Sequence, residues 1–373
     1  MKNILITGGA GFIGSALSNK LADEGYKVTI LDNLSKKIHS DNSAYEALRS
    51  KCNFIIGDVN NRSDWENAII SQDAIFHLAS ETGTGESMYD IFNYSNTNIS
   101  ATALMLDVLA NTKHQVKKIV LSSSRAVYGE GKYFCNDHGV FYPSSRDLKH
   151  LEKNDFDFTC PLCNNTLTQV ATDESSNINP SSIYAVSKHT QEKMVQIIGE
   201  SLAINTVILR YQNVFGPGQS LSNPYTGILS IFSTRILNNN DIEIYEDGFE
   251  SRDFIYIDDV VEASILALNY QNVNGEVFNV GSGIATTVLD VAQQLKNNFN
   301  SKVNITITKK FRLGDIRHNF ADISKLKTIL NYHPTNSFES GLRKFVDWVK
   351  SQEIQEDNYL KSIEKLKNKG LFR

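Results

Sequence analysis

The segment ILITGGAGFIG, residues 4–14, decides the fold of this 373-residue chain. Its first three residues form a short apolar run, which predicts a buried parallel strand, and the glycines follow at once. From Phe12 to Leu21 the apolar residues recur at helical spacing. A strand, a glycine-rich turn and a helix start together provide close backbone approach and free N–H groups. The segment therefore predicts the turn that binds the pyrophosphate of a dinucleotide.

A carboxylate at the end of the second strand selects between dinucleotides. The run VTIL, residues 28–31, predicts this strand, and Asp32 follows it, 18 positions after Gly14. A carboxylate there accepts hydrogen bonds from the adenosine ribose and repels a 2′-phosphate, so NAD is favoured. Lys36 and Lys37 lie close by in the sequence and leave NADP as an alternative.

Strands and helices alternate through the first half of the chain. Apolar runs predict further strands at residues 54–58, 74–79 and 118–122, and a helix is expected over residues 96–111. Repeated βα units predict an α/β protein with a doubly wound parallel (Rossmann) sheet, which binds ligands at the carboxyl ends of its strands. The residues just past those ends are expected near the adenine (Asp58, Val59), the nicotinamide ribose (Ala79, Ser80) and the reacting atoms (Ser124).

After residue 210 the regular alternation of strands and helices ends, and the sequence predicts a smaller C-terminal lobe. We expect the strands at 254–256 and 277–280 to return to the large sheet. The lobe itself is expected to contain a half-exposed strand at 242–245 and helices at 226–237, 287–299, 324–330 and 337–349. We therefore assign residues 1–215 to a dinucleotide-binding domain, with 254–281 returning to it, and residues 216–373 mainly to a substrate-binding domain.

Composition and charge narrow the function classes. A net charge of −5 gives no support to nucleic-acid binding, and 41% hydrophobic residues are enough for a sizeable core. No apolar run approaches the length of a membrane span, and the N-terminus enters the first strand instead of a signal peptide. Four cysteines without a secretory signal argue against a disulfide framework, so the cytoplasm is the expected compartment.

Three residues form a candidate acid–base site. Tyr184 and Lys188 are four positions apart on a helix predicted at 182–199, so they share one face. An ammonium beside a phenol favours the phenolate, so we expect Lys188 to lower the pKa of Tyr184 and make it a base. Ser124, at the end of the fifth strand, can orient the same substrate oxygen. Downstream of a dinucleotide turn, this pattern predicts hydride transfer from a sugar-like hydroxyl.

These segments resemble the extended short-chain dehydrogenases/reductases, specifically the nucleotide-sugar epimerases and dehydratases. The resemblance covers nearly the whole chain and rests on TGGAGFIG, LDNL, GDV, HLAS, SSSRAVYG, YAVSK, RYQNVFGPGQ, SRDFIYIDDV, FNVGSG and GDIRH. It implies that Ser124, Tyr184 and Lys188 are the catalytic triad. It also implies a homodimer formed by the helix at 96–111 and the helix that carries Tyr184. Their apolar positions that face either a partner or the core are Leu104, Val108, Val195 and Ile198.

The resemblance also implies two sets of binding residues, one for NAD and one for a nucleoside diphosphate sugar. The residues expected to bind NAD are Gly8, Gly11, Phe12, Ile13, Gly14, Asp32, Asn33, Asp58, Val59, Leu78, Ala79, Ser80, Tyr184 and Lys188. The residues expected to bind a nucleoside diphosphate sugar are Thr84, Ser124, Arg125, Asn213, Arg252 and Arg317. The arginines suit a diphosphate. The alternative for Arg252 is an ion pair with Asp253 or Asp259.

The two residues after Ser124 indicate which of the family's reactions the resemblance implies. In the 4,6-dehydratases they hold an Asp-Glu pair, and decarboxylating relatives keep a glutamate in this stretch, but here they are Arg125 and Ala126. The implied reaction is therefore 4-epimerisation, in which one carbon is oxidised and reduced again while NAD stays bound. ETGTGESMYD, SSSRAVYGEG and NPYTGILSIF are most similar to the subgroup that interconverts dTDP-L-rhamnose and dTDP-6-deoxy-L-talose.

Other functions stay open at this point. UDP-glucose/galactose-type 4-epimerisation and the epimerisation of a GDP- or CDP-deoxysugar are alternatives within the family. A nucleotide-keto-sugar reductase would use the same triad but consume NAD(P)H in each turnover. A protein that only senses dinucleotides would have no need of Tyr184 or Lys188, and both are present.

An insertion at residues 131–168 carries a candidate metal site. Cys135 and His138 are separated by two residues, as are Cys160 and Cys163. This spacing is typical of a tetrahedral structural zinc site with no open position. His150 is an alternative fourth ligand, and the alternative to zinc is an exposed hairpin with unpaired thiols.

Overall fold

The computed structural model of the protein describes residues 1–36, 38, 43–225 and 227–373. Two residues named above lie outside these ranges. They are Lys37, which we considered in connection with NADP, and Thr226, at which we expected a helix to begin.

A seven-stranded parallel sheet forms the centre of the molecule, which confirms the predicted fold class. Its order is β7-β6-β5-β4-β1-β2-β3, so the chain winds outward from β1 in both directions. The strands are β1 (Asn3–Thr7), β2 (Lys27–Asp32), β3 (Asn53–Ile56), β4 (Ala74–His77), β5 (Lys118–Ser124), β6 (Asn205–Tyr211) and β7 (Glu276–Val280).

Helices cover both faces of this sheet, which explains the continuous apolar run in β1. Ile4 and Ile6 belong to one hydrophobic core, whereas Leu5 points to the opposite face and belongs to a second core. The longer helices are α1 (Phe12–Asp23), α2 (Ser43–Leu48), α3 (Arg62–Ala68), α4 (Ala101–Asn111), α5 (Ile183–Ser201), α6 (Ile228–Leu237), α7 (Ile257–Asn269), α8 (Val288–Phe299), α9 (Ser324–Ile329), α10 (Phe338–Lys350) and α11 (Tyr359–Asn368).

The segment after β4 differs from the single helix that we expected over residues 96–111. Short helices at Thr84–Ser87 and Ile91–Tyr94 are followed by a π-helical turn at Ser95–Ser100, and only then does α4 begin. Such turns often occur at functional sites. Among the residues that the structure describes, no helix is long and apolar enough to cross a bilayer.

One expectation about the large sheet is wrong. Ser251–Tyr256, which includes the predicted strand 254–256, does not join the large sheet, although Glu276–Val280 does. Phe254, Ile255 and Tyr256 belong to the larger hydrophobic core, so their apolar run resembles that of a strand in the large sheet. The strand instead pairs in a separate small sheet with Asn213–Phe215, Ala285–Thr287 and His318–Asn319.

The remaining strands form two small sheets away from the centre. Ile242–Ile244 pairs with Ile305–Ile307 in the C-terminal lobe. Within the insertion, Tyr133–Cys135 pairs antiparallel with Gly139–Phe141 and with Thr168–Gln169, and a short helix spans Leu148–Leu151. The insertion has its own small hydrophobic core, formed by Tyr133, Cys135, Cys160 and Leu167.

Candidate active site

The carboxyl ends of the strands border a cleft of about 1370 Å³. The structure brings every residue expected to bind NAD to the walls of this cleft, from the glycine turn to Tyr184 and Lys188. Of the expected substrate residues, Thr84, Ser124, Arg125 and Asn213 also line it. Arg252 lines only a smaller adjoining cavity, and Arg317 lines neither.

The glycine turn is shaped so that only glycines fit at its closest contacts. Gly8 has a φ of +67°, and a Cβ there would lie 2.8 Å from the amide nitrogen of Ala79. A Cβ on Gly14 would lie 2.1 Å from the carbonyl oxygen of Gly8. Gly11 precedes α1 and caps it without a side chain, so the first helical N–H groups are open to a ligand. The turn therefore fits a dinucleotide pyrophosphate.

Two carboxylates lie along the cleft, one at the last residue of β2 and the other shortly after β3. Asp32 is 7% exposed and accepts hydrogen bonds from the backbone N–H groups of Ala10 (3.0 Å) and Leu34 (2.9 Å). It therefore braces the glycine turn as well as facing the cleft. Burial raises the pKa of Asp58, but hydrogen bonds donated by Asn60 and Asn33 together outweigh burial and lower that pKa.

Tyr184 and Lys188 lie on the first turns of α5, close to Ser124 at the end of β5. The helix begins after Ser182, whose hydroxyl accepts a hydrogen bond from the Ala185 N–H at 3.2 Å. The Lys188 Nζ lies 5.9 Å from the centre of the Tyr184 ring and donates a hydrogen bond to the Ser122 carbonyl oxygen (2.9 Å). The predicted neighbours are therefore brought together at one end of the cleft.

Burial dominates the electrostatics of Tyr184. Burial raises its pKa, and the effects that oppose burial are a hydrogen bond with Ser124 and the positive charge of Arg125. Lys188 is itself deeply buried, and this burial lowers the pKa of its ammonium to about 7. The groups that shift the pKa of Tyr184 in this structure do not include Lys188, so the expected effect of the lysine on the phenol stays a prediction.

Several amide groups in the wall between β6 and the C-terminal lobe have buried atoms without partners in the part of the chain that the structure describes. They are the side-chain oxygens of Asn213 and Gln219 and both amide atoms of Gln212, and all three residues line the cleft. Buried polar atoms are almost always hydrogen-bonded, so orphaned ones beside a cleft indicate a place for a polar ligand. Asn213 was among the expected substrate residues; Gln212 and Gln219 were not.

The two arginines expected from the C-terminal half behave differently. Arg252 donates hydrogen bonds to the carbonyl oxygens of Ser251, Ile316 and Arg317, so it holds neighbouring backbone. It forms no ion pair with Asp253 or Asp259, whose carboxylates accept hydrogen bonds from other groups. The alternative that we considered for Arg252 is therefore wrong.

Arg317 is not placed to contact a ligand in the cleft. It is 2% exposed, and its guanidinium forms ion pairs with Asp157, Glu246 and Asp247. Asp157 belongs to the insertion and the other two belong to the C-terminal lobe. Arg317 therefore joins these two regions, and the structure corrects the expectation that it binds substrate.

Asn98 is a buried residue near the site that sequence reasoning missed. Its side-chain oxygen accepts hydrogen bonds from the Glu81 N–H (2.8 Å) and the Ser80 hydroxyl (3.0 Å). Its amide nitrogen donates to the Ser187 hydroxyl at 2.9 Å. Asn98 thus ties the segment after β4 to α5. A fully buried asparagine gives no pattern in the sequence, and the π-helical turn around it is visible only in the structure.

The four predicted metal ligands meet in the insertion. The side-chain ligand atoms of Cys135, His138, Cys160 and Cys163 all lie within 4.8 Å of one another. The Cys135 and Cys163 sulfurs are 3.6 Å apart, and the Cys160 sulfur is 3.5 Å from Nδ1 of His138. His150 lies outside this group and pairs with Asp155. Three sulfurs and one imidazole nitrogen fit a tetrahedral metal such as zinc.

Comparison with known proteins agrees with this geometry. The family model described as "NAD dependent epimerase/dehydratase family" matches residues 4–145 and 161–281. A dTDP-L-rhamnose 4-epimerase of Burkholderia thailandensis is 36% identical over 360 residues, which cover 96% of this chain and 97% of that protein.

Solved structures of nucleotide-sugar 4-epimerases are also similar to this chain. A Thermotoga maritima UDP-glucose 4-epimerase with UDP-glucose has a TM-score of 0.76 and 29% identity, covering 93% of this chain and 98% of that one. A Bacillus cereus UDP-glucuronic acid 4-epimerase in complex with UDP-glucuronic acid and NAD has a TM-score of 0.76 and 27% identity, covering 93% and 99%.

Proposed function

Since the chain belongs to the NAD-dependent epimerase/dehydratase family, we propose that it is an NAD-dependent 4-epimerase that converts dTDP-L-rhamnose to dTDP-6-deoxy-L-talose. The observation that carries the reaction type is the position of Ser124, Tyr184 and Lys188 at one end of a cleft whose other end is the glycine turn. The 36% identity to a dTDP-L-rhamnose 4-epimerase supports the choice of sugar.

In the proposed mechanism, the glycine turn, Asp32 and Lys188 would hold NAD, which when bound would supply reversible hydride transfer at C4 of the sugar. Tyr184 takes the proton of the C4 hydroxyl and, after the keto sugar has turned to present its other face, gives it back. Ser124 orients the same oxygen. Asn213, with its unpaired amide oxygen, and Arg252 are proposed to hold the nucleotide side of the substrate while the sugar turns.

The test is to incubate the purified protein, without added dinucleotide, with dTDP-L-rhamnose and to follow the C4 proton by NMR. UDP-glucose and UDP-glucuronic acid form parallel arms, because structurally similar enzymes are named for them. We expect the wild type to convert dTDP-L-rhamnose and Tyr184→Phe to lose nearly all of this activity. Conversion of a UDP-sugar alone would overturn the choice of sugar. A reaction that consumes added NADH in proportion to product would overturn epimerisation in favour of reduction.

We also propose that Cys135, His138, Cys160 and Cys163 bind one structural zinc ion. The support is the convergence of four suitable ligand atoms from two segments that are 22 or more residues apart. Four protein ligands leave no open position, so the ion would stabilise the insertion and take no part in the reaction. Its binding energy would become folding energy for this small region.

A homodimer is the third proposal, and the structure changes the residues on which it rests. Val108 and Val195 are completely buried and unavailable to a partner, whereas Leu104 and Ile198 are only partly buried against the same core. Phe92 is 81% exposed on a short helix that packs against α5, and Ile197 and Val186 are exposed on one face of α5 itself. Light scattering that gives the mass of one chain at micromolar concentration would contradict the dimer.

A further inference from the structure

Two charged side chains of the insertion reach a short segment of the C-terminal half, residues 315–317. The guanidinium of Arg146 donates a hydrogen bond to the backbone carbonyl oxygen of Asp315 at 2.7 Å. The carboxylate of Asp157 accepts a hydrogen bond from Nε of Arg317 at 2.8 Å. The insertion is therefore attached to both ends of this segment by polar contacts.

Further charged groups fix the same contacts in a buried environment. The carboxylate of Glu246 pairs with the guanidiniums of Arg146 (2.7 Å) and Arg317 (3.3 Å), and these three side chains are at most 5% exposed. Glu130, just before the insertion, accepts a hydrogen bond from the Arg317 backbone N–H at 2.7 Å. Removing one partner from a buried ion pair leaves a charge without compensation, so this arrangement resists displacement.

The segment 315–317 in turn holds Arg252. The Arg252 guanidinium donates hydrogen bonds to the carbonyl oxygens of Ile316 (2.7 Å) and Arg317 (3.0 Å), and also to the carbonyl oxygen of Ser251. Its hydrogen-bond acceptors among the described residues are thus neutral, which leaves its positive charge for an anionic ligand. The position of Arg252 depends on a segment that the insertion holds.

This chain of contacts ends at the sugar end of the cleft. Arg252, Asp315 and Ile316 line the small adjoining cavity. Thr84 and Arg125 line both this cavity and the main cleft, so the two spaces are neighbours. A path of direct contacts therefore runs from the insertion to a guanidinium beside the cleft.

We propose that Arg146 and Asp157 are positioning residues, which place Arg252 for the diphosphate of the substrate through the segment 315–317. The inference rests on the proposed function, in which Arg252 holds the nucleotide side of the substrate. Neither Arg146 nor Asp157 touches the substrate. Hydrogen bonds to a diphosphate depend on direction as well as distance, so a segment that is free to shift would weaken this contact without removing the arginine.

The test compares Arg146→Met and Asp157→Ala by KM and kcat for dTDP-L-rhamnose. Asp155→Ala is the matched control, because Asp155 is an equally exposed carboxylate of the insertion that pairs with His150 instead. We expect KM to rise about tenfold in Arg146→Met, as for one weakened charge-assisted hydrogen bond, and less in Asp157→Ala. The diphosphate is held equally before and during the reaction, so kcat and bound NAD should stay near wild type. The control should match wild type throughout.

A double-mutant cycle tests whether Arg146 acts through Arg252. Arg252→Met removes the group that is to be positioned, so adding Arg146→Met to it should raise KM little further. A full additional tenfold rise would overturn the inference. A lower unfolding temperature in Arg146→Met with KM unmoved would also overturn it, because the ion pairs would then only stabilise the fold. If Arg146→Met does not fold, Asp157→Ala enters the same cycle, since its exposed carboxylate is less costly to remove.

If the wild type epimerises no sugar, the proposed function fails, but the inference can still be tested by binding. The probes are dTDP and UDP, titrated calorimetrically into the NAD-bound protein. Their Kd should rise in Arg146→Met and Asp157→Ala and stay unchanged in Asp155→Ala. Equal Kd values in all four proteins would overturn the inference. So would a wild type that binds neither nucleotide, because no diphosphate would then need Arg252 in this position.

Discussion

The two ends of the cleft are built in different ways. At the dinucleotide end, the wall is formed by the backbone of one continuous segment, and the Asp32 side chain braces it. At the sugar end, side chains arrive from β5, α5, the loop after β6 and the C-terminal lobe. The glycine turn can be recognised from a few neighbouring residues, because its shape requires glycine at fixed positions. The wall at the sugar end is assembled from distant parts of the chain, so the role of each side chain there can be assigned only from the structure.

The largest expected effect lies at the sugar end. Tyr184→Phe removes the proton acceptor and leaves the glycine turn intact, so turnover should fall by about 10²–10⁴-fold while NAD stays bound. The measurements are steady-state kinetics and the dinucleotide content of the purified variant. Wild-type turnover in this variant would remove Tyr184 from the mechanism. Loss of bound NAD would show instead that the two ends are not separable.

The second-largest expected effect is a loss of bound NAD, at the dinucleotide end of the cleft. Gly14→Ala places a Cβ 2.1 Å from a backbone oxygen of the turn, so either the turn or α1 must shift. We expect purified Gly14→Ala to contain almost no NAD and to unfold at a lower temperature. Gly85→Ala is the matched control, because a Cβ there meets nothing within 4 Å. Equal NAD content in the two variants would contradict the close approach that defines this end of the cleft.

A substitution in the insertion is expected to affect catalysis less than Tyr184→Phe or Gly14→Ala. Cys160→Ser should release the metal and make residues 131–168 sensitive to protease, because a four-ligand site closes this small region. NAD binding should survive, since the glycine turn belongs to a separately packed sheet. The control is Cys52→Ser, which changes a buried cysteine of the large core.

Elemental analysis decides between the two interpretations of these cysteines. About one zinc per chain is expected in wild type and Cys52→Ser, and none in Cys160→Ser. Protein made with zinc present and without chelator that contains no metal would refute the site. The four side chains would then be reduced thiols and an imidazole packed together.

The same contrast explains how far the sequence could predict this molecule. The parallel sheet, the glycine turn and Asp32 each depend on residues that are close together in the chain, and the expected cofactor residues meet in one cleft. The grouping of Cys135, His138, Cys160 and Cys163 was also predictable, because the short spacing within each Cys/His pair is typical of a site that brings such side chains together. Such local patterns transfer directly from sequence to structure.

The arginines could not be assigned in this way. Arg317 lies in the GDIRH segment, but its partners Asp157 and Asp247 are 160 and 70 positions away. Arg125 stands beside Ser124, yet only the folded structure reveals that it has no partner among the described residues. A guanidinium can hold a ligand, brace a lobe or stabilise a base, and the surrounding carboxylates decide which.

The smallest expected effect tests whether the dinucleotide end is as independent as it looks. Asp32 faces the cleft, but its carboxylate also accepts the N–H groups of Ala10 and Leu34, so Asp32→Ala removes both a ribose contact and a brace of the turn. We expect NAD affinity to fall by about tenfold or somewhat more, since hydrogen bonds to a charged group contribute about 1.5–3 kcal/mol. NADP affinity should fall less, because the repulsion of its 2′-phosphate disappears. The measurement is a titration of both dinucleotides into dinucleotide-free protein, with Asp23→Ala as an exposed control. An equal loss for NAD and NADP would mean that Asp32 acts only as a brace, and that another residue distinguishes the two cofactors.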